Sequence, residues 1–193
     1  MSNNNTTKIC RQLQLYSYIK STVYHGPSEL MKHFGITRRM LQRDLKDLRD
    51  SGLLNVKYQK VPDDNYVTSD DPPAFDESAA GRHRQHLIRL HRLATILDNL
   101  PRTDMEELKQ YERDYDEYVW YRDTLSIEEP EEFPIEDIPD LPVLPDFPDL
   151  KAIYYDLFPD SSERMRQRDF EALSDAGFPI YYNRKYKAFI FEG

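Results

Sequence analysis

Arg38, Arg39, Gln42, Arg43 and Lys46 fall within nine residues, directly behind the hydroxyl of Thr37. A guanidinium is a planar fork of donors that grips guanine O6 and N7 together, and a primary amide matches adenine N6 and N7 in the same way. A lysine ammonium is a point charge for a phosphate. The chemistry on offer is recognition of a polyanion: Arg38, Arg39 and Gln42 toward base edges, Arg43 and Lys46 toward phosphates. The plain alternative is a solvated helix face with local ion pairs, such as Arg39 or Arg43 with Asp47. Bond-making chemistry has no comparable signal. The chain has no Gly-rich phosphate loop, no cysteine pair and no Ser/His/Asp frame, so neither an enzyme nor a cofactor is expected. His83, His86 and His91 lie close in sequence, but no carboxylate or cysteine joins them at ligand spacing, and they read as a basic helix end, not a metal site.

The element that positions the cationic row is a helix over residues 37–52. Leu41, Leu45 and Leu48 recur at helical spacing and form one apolar stripe, leaving the cations most of the remaining circumference. Thr37 suits an N-cap and Gly52 the residue after the last turn. The same text returns 125 residues later. Arg39, Met40, Gln42, Arg43, Asp44, Leu48, Asp50 and Gly52 match Arg164, Met165, Gln167, Arg168, Asp169, Leu173, Asp175 and Gly177, eight identities in fourteen positions. Two copies of one supersecondary unit follow from that. The second copy offers Arg164, Gln167, Arg168 and, on its wing, Arg184 and Lys185. It departs at one place: Leu41 becomes Arg166. Burying an unpaired guanidinium is costly, so the second helix is expected to sit more exposed or to be rolled.

At these residues the chain resembles DeoR-type winged helix-turn-helix transcriptional regulators, including those carrying a WYL domain. The pattern Thr-Arg-Arg-x-Leu-Gln-Arg-Asp-Leu-x-x-Leu-x-x-x-Gly looks like their recognition helix. Ser162 to Phe170, running into Ala176 to Tyr182, is similar to the same family through its first wing strand. The likeness covers roughly residues 8–61 and 150–193. It implies double-stranded DNA as partner, with a recognition helix in the major groove. No WYL-like segment follows within these residues, so that domain's ligand sensing is not carried over.

The rest of the chain completes a fold that is mainly α with small β wings: two winged helix-turn-helix units joined by helices and an acidic Pro-rich segment. Ile9, Leu13, Tyr16 and Ile19 mark a helix over 8–21. Gly26-Pro27-Ser28 starts a second, and Gly35-Ile36 turns into the basic helix. Leu53 to Tyr58 and Tyr66-Val67 flank a turn, closing an N-terminal unit at 1–67. A linker takes 68–81. Residues 82–125 read as a helical hairpin: 82–99 serves as first helix of the second unit, and Thr103-Asp104-Met105-Glu106 is a capping box opening the other arm. There Leu108, Tyr111, Tyr115 and Tyr118 make a stripe that suits core or a packing seam, with a homodimer through 103–125 as the alternative. Pro139, Pro142, Pro145 and Pro148 recur every third residue, the period of polyproline II. The row Leu141, Leu144, Phe147 and Leu150 argues for a strap (126–149) lying on its own domain, against a protein partner at 128–150. The second unit, 150–193, ends in a hairpin turning at Asn183-Arg184-Lys185.

Charge sorts these segments. The whole chain carries −9, yet residues 1–61 hold +7, residues 103–150 hold −14, and 151–193 hold zero. Screening confines a charge to about 8–10 Å, so the local balance governs binding. An acidic segment competing with DNA for the basic unit is one consequence. A tandem winged-helix protein-protein adaptor, in which the helix-turn-helix is scaffold alone, is the other function class this balance admits. Cys10 is the single cysteine, no apolar run approaches the roughly 20 residues of a membrane span, and the polar start lacks a leader. The expectation is a cytoplasmic chain without disulfides.

Overall fold

The computed structural model describes residues 7–21, 26–60, 65–69, 71–125 and 140–192. Their order is α1 (Lys8–Ser21), α2 (Pro27–Phe34), α3 (Arg38–Asp50), β1 (Asn55–Gln59), β2 (Asn65–Ser69), α4 (Gly81–Asn99), α5 (Met105–Leu125), α6 (Leu150–Leu157), α7 (Glu163–Asp175), β3 (Ile180–Asn183) and β4 (Ala188–Phe191). The two antiparallel hairpins pair Val56 with Thr68 and Tyr58 with Tyr66 in one, and Tyr181 with Ile190 and Tyr182 with Phe189 in the other. This is a mainly helical fold with two winged helix-turn-helix-like units. The expected wing turn at 62–64 and the strap over 126–139 lie outside the described residues.

Local signals set the two repeated helices as expected. Thr37 caps α3 by accepting from the Met40 N–H, and Ser162 caps α7 by accepting from the Met165 N–H, both at 3.3 Å. Gly52 and Gly177 follow the last turns at φ +77° and +88°. Leu41, Leu45 and Leu48 are buried, each contributing about 1.5–3 kcal/mol of apolar transfer. The capping box of α5 is built differently from its expectation. Asp104 Oδ1, not Thr103, accepts from the N–H groups of Glu106 and Glu107. The Thr103 hydroxyl instead accepts from the N–H of Phe191, and the Thr103 N–H donates to the Phe191 carbonyl.

One core runs through both units, and within it α1 packs on α4. Each repeated helix packs on both of them: α3 on α1 and α4, α7 on α4 and α1. That reciprocity is the signature of a two-fold interface, here within one chain. Aligning Arg11 with Arg92 shows how closely it is kept. Leu13 and Ala94, Leu15 and Ile96, Tyr16 and Leu97, and Ile19 and Leu100 are buried at matching positions. The helix C-terminal carbonyls are held crosswise as well. His91 of α4 bonds the Ser51 carbonyl at 2.8 Å, and Gln14 of α1 donates to the Ala176 carbonyl at 3.0 Å.

α5 stands apart from this core. Leu108 is its buried apolar residue, while Tyr111, Tyr115 and Tyr118 are half-buried and Trp120 is 62% exposed. The stripe expected to be core therefore faces partly into solvent. What holds α5 is the second hairpin: Glu112 accepts from Lys185 and Tyr186, and the Tyr111 and Tyr186 rings meet edge to face. Residues 140–149 form neither helix nor strand. Phe147 stacks on Tyr186 with ring centroids 5.3 Å apart, but Leu141, Val143 and Leu144 are exposed. The apolar row thus meets its own domain at one end.

Candidate nucleic-acid interface

The floor beneath the cationic helix is built first from carboxylates. Asp44 and Asp47 point inward from α3 and are buried. Arg11 clamps Asp44, Nε to Oδ2 at 2.7 Å and Nη2 to Oδ1 at 3.2 Å, and the buried Gln12 amide donates to Asp44 at 3.0 Å and Asp47 at 2.8 Å. Lys8 reaches Asp47 at 2.6 Å. A buried carboxylate is tolerated because partners of this quality replace its water. The local pairing of Arg39 or Arg43 with Asp47 does not form, because Asp47 is already held from α1.

With the acids turned inward, the outer face of α3 is left to its cations. Thr37, Arg38, Arg39, Gln42, Arg43 and Lys46 are all exposed, on one solvent-facing helix. Lys46 lies 3.2 Å from Asp50. Arg38, Arg39 and Arg43 have no ion-pair partner among the described residues. Beside this face Gln42, Lys46 and Arg49 border a groove closed by Tyr58 and Tyr66 of the first wing. Lys57 and Lys60 extend the positive charge along that wing.

The second unit repeats the floor and changes the face. Arg92 Nε donates to Asp169 at 2.6 Å, answering Arg11 and Asp44, and the same guanidinium bonds Tyr154 and Ser161. Burial works against the Arg92 charge, but the bonds to Asp169 and Tyr154 outweigh it and raise its pKa. Burial also raises the pKa of Tyr154, with its bond to Asp169 adding to that. Outside, Arg164, Gln167, Arg168, Arg184 and Lys185 are exposed. The structure gives two of them partners: Gln167 donates to Glu163 at 3.3 Å, and Lys185 lies 3.2 Å from Glu112. Glu163, Glu171 and Asp175 share the outer side of α7.

Arg166 corrects the expectation drawn from its charge. α7 is neither rolled nor more exposed, for Arg166, Asp169, Phe170, Ala172 and Leu173 are buried at the positions of Leu41, Asp44, Leu45, Asp47 and Leu48. The guanidinium lies between the Phe170 and Phe189 rings, 4.9 and 4.8 Å from their centroids, and bonds Glu163 one turn earlier. Its cost is offset locally by one carboxylate and two aromatic faces. The bonds from Arg166 and Tyr155 hold the Glu163 carboxyl down at about 2.

His86 and His91 are used structurally. The ring of His86 bonds Gln12 at 2.8 Å, and His91 bonds the Ser51 carbonyl. No group of three or more potential metal ligands gathers among the described residues, and none of their helices is long and apolar enough to cross a membrane. Comparison with protein-family models, curated proteins and solved structures finds no match to the chain.

Proposed function

We propose that the chain is a DNA-binding transcriptional regulator whose first unit lays α3 in the major groove. The observation that carries this reading is the sorting of charge on α3: carboxylates paired inward, five cations and a glutamine outward, with three arginines lacking any ion-pair partner among the described residues. Arg38, Arg39 and Gln42 read base edges near the helix N-terminus; Arg43 and Lys46 hold phosphates. The likeness of this helix to DeoR-type recognition helices supports the same reading.

The experiment is a gel shift on duplexes selected from random DNA. Arg39→Ala is expected to lose about 1–3 kcal/mol of discrimination on selected sequence. Arg43→Ala is expected to weaken all sequences alike and to lower the salt slope by about one. A wild-type chain that retards no duplex, or two variants that bind as it does, would overturn the proposal. That outcome favours the adaptor reading, to which the mixed charge of α7 and the exposed Trp120 of α5 lend support.

A further inference from the structure

Under the two-fold correspondence Lys8, the first residue of α1, matches Arg89, so α4 runs eight residues further toward its N-terminus, from Gly81. These two extra turns have a fixed place beside the first unit. His86 bonds Gln12 and stands 3.7 Å from Asp47, the carboxylate that Lys8 also holds. The incoming linker is seated on the C-terminal end of α3. The Asp76 N–H donates to the Asp50 carbonyl at 2.8 Å, and Arg84 binds Glu77 while lying over the Phe75 ring. Hydrogen bonds from Ser78 hold the Asp76 carboxyl below its usual range, with smaller contributions from the charges of Lys46 and His83. His83 stands one turn before His86 on the same side of α4, the turn that reaches Gln12 and Asp47 of the first unit.

Arg82 and His83 are exposed and have no ion-pair partner among the described residues, whereas Arg84 is taken by Glu77. The first turn of α4 holds no acid, and Ala80 provides no side-chain cap. With Lys46, which is exposed beside Asp50, and Lys8, which Asp47 holds, Arg82 carries positive charge from α1 and α3 onto α4, and His83 adds an exposed imidazole next to it.

We propose that Arg82 and His83 extend the cationic face of α3 and hold a backbone phosphate of the same DNA duplex, flanking the bases that α3 reads. This rests on the DNA-binding reading of α3. The Arg82 charge displaces a counterion, and an imidazole N–H donates to a phosphate oxygen in either protonation state. The contact positions the unit and carries no sequence information.

The test is fluorescence anisotropy of the full chain with a labelled duplex, selected or scrambled, from 50 to 200 mM salt. The Arg82→Ala/His83→Ala chain is expected to lose affinity about tenfold for both duplexes, and its salt slope to fall by about one. Arg82→Lys is expected to keep the slope, and the thermal melt of the double variant to match wild type. Wild-type binding with an unchanged slope and affinity in the double variant overturns this proposal alone. A wild-type chain that binds neither duplex overturns the reading of α3 with it.

Discussion

α3 and α7 are near copies on the inside and different molecules on the outside. Each starts on a hydroxyl cap and ends at a left-handed glycine, and each sends an aspartate inward to an arginine from the first helix of its unit. Outward, α3 shows Arg38, Arg39, Arg43, Lys46 and Arg49, while α7 shows Arg164 and Arg168 among Glu163, Glu171 and Asp175. Packing holds an interior residue to its shape and its partners, and the solvent side is free of that constraint. Fold is therefore shared between the copies, and a cationic face belongs to one of them. Arg38 of the first copy corresponds to Glu163 of the second, and that exchange is coupled to another. Glu163 is the carboxylate that lets Arg166 replace Leu41 in a buried row.

The coupling predicts the largest effect. Leu41→Arg places a guanidinium in the core with Arg38, a like charge, where Arg166 has Glu163. Lacking a partner, it is expected to cost about 3–5 kcal/mol in urea unfolding, a large share of a domain's usual stability of about 5–15 kcal/mol. The reverse change, Arg166→Leu, removes a buried ion pair in favour of an apolar side chain and is expected to be neutral or mildly stabilising. Equal losses in the two variants would show that the two rows are not equivalent.

A smaller contrast lies at the helix ends. A Cβ on Gly52 would lie 3.2 Å from the Pro73 carbonyl oxygen and 3.4 Å from the Phe75 nitrogen, backbone atoms of the segment that docks there. A Cβ on Gly177 would meet only the movable Gln14 amide, at 3.6 Å. Both positions carry a positive φ, which costs a non-glycine residue about 1–2 kcal/mol. Gly177→Ala is expected to lose about that much, and Gly52→Ala about 1 kcal/mol more, since the backbone neighbour must also shift. Matching melting temperatures for the two variants would mean that residues 71–76 do not press on α3 in solution.

The parts legible in the sequence were those with short-range signatures. The stripe of α3, its Thr cap and its glycine involve residues within about sixteen positions of one another, and the repeat in α7 is a match between two such windows 125 residues apart. The two-fold core was not legible. Between residues 8–19 and 89–100 only Arg11 and Arg92 are identical, because apolar contacts accept Leu for Ile or Ala for Leu while the buried pattern persists. Asp44 and Asp169 did repeat, and an aspartate kept directly behind Gln-Arg in both copies was a signal of inward pairing. Their partners lie 33 and 77 residues away, beyond any periodicity. Arg166 differs: its i,i+3 partner Glu163 stands in the same helix and was within reach of the sequence, but Phe189, whose ring covers the guanidinium, comes from a strand that only the fold brings near.

The smallest predicted effect concerns pH, and it too separates the halves. Asp47 of the first unit corresponds to Ala172 of the second, so the contact of α3 with α4 contains a titrating cluster where α7 with α1 has none at that position. Burial is the main cause that lowers the pKa of His86 from its ordinary 6.5, Lys8 adds to it, and the charges of Asp47 and Asp44 oppose it in part. The folded chain therefore favours neutral imidazole. Above pH 6.5 both states hold His86 unprotonated and it adds nothing to the slope. As pH falls through 6.5 the unfolded chain takes up the proton first, and stability declines until the folded pKa is passed. One proton sets a ceiling of about 1.4 kcal/mol per pH unit, and a half-buried ring will stay well under it. His86→Gln keeps a donor for the side-chain amide oxygen of Gln12 and removes the titration. Its unfolding free energy between pH 7.5 and 5.5 should fall less steeply than that of wild type, and hydrogen exchange in wild type should quicken along α3 more than along α7. An identical slope in the variant, or equal quickening in both helices, would place the pH sensitivity outside this junction.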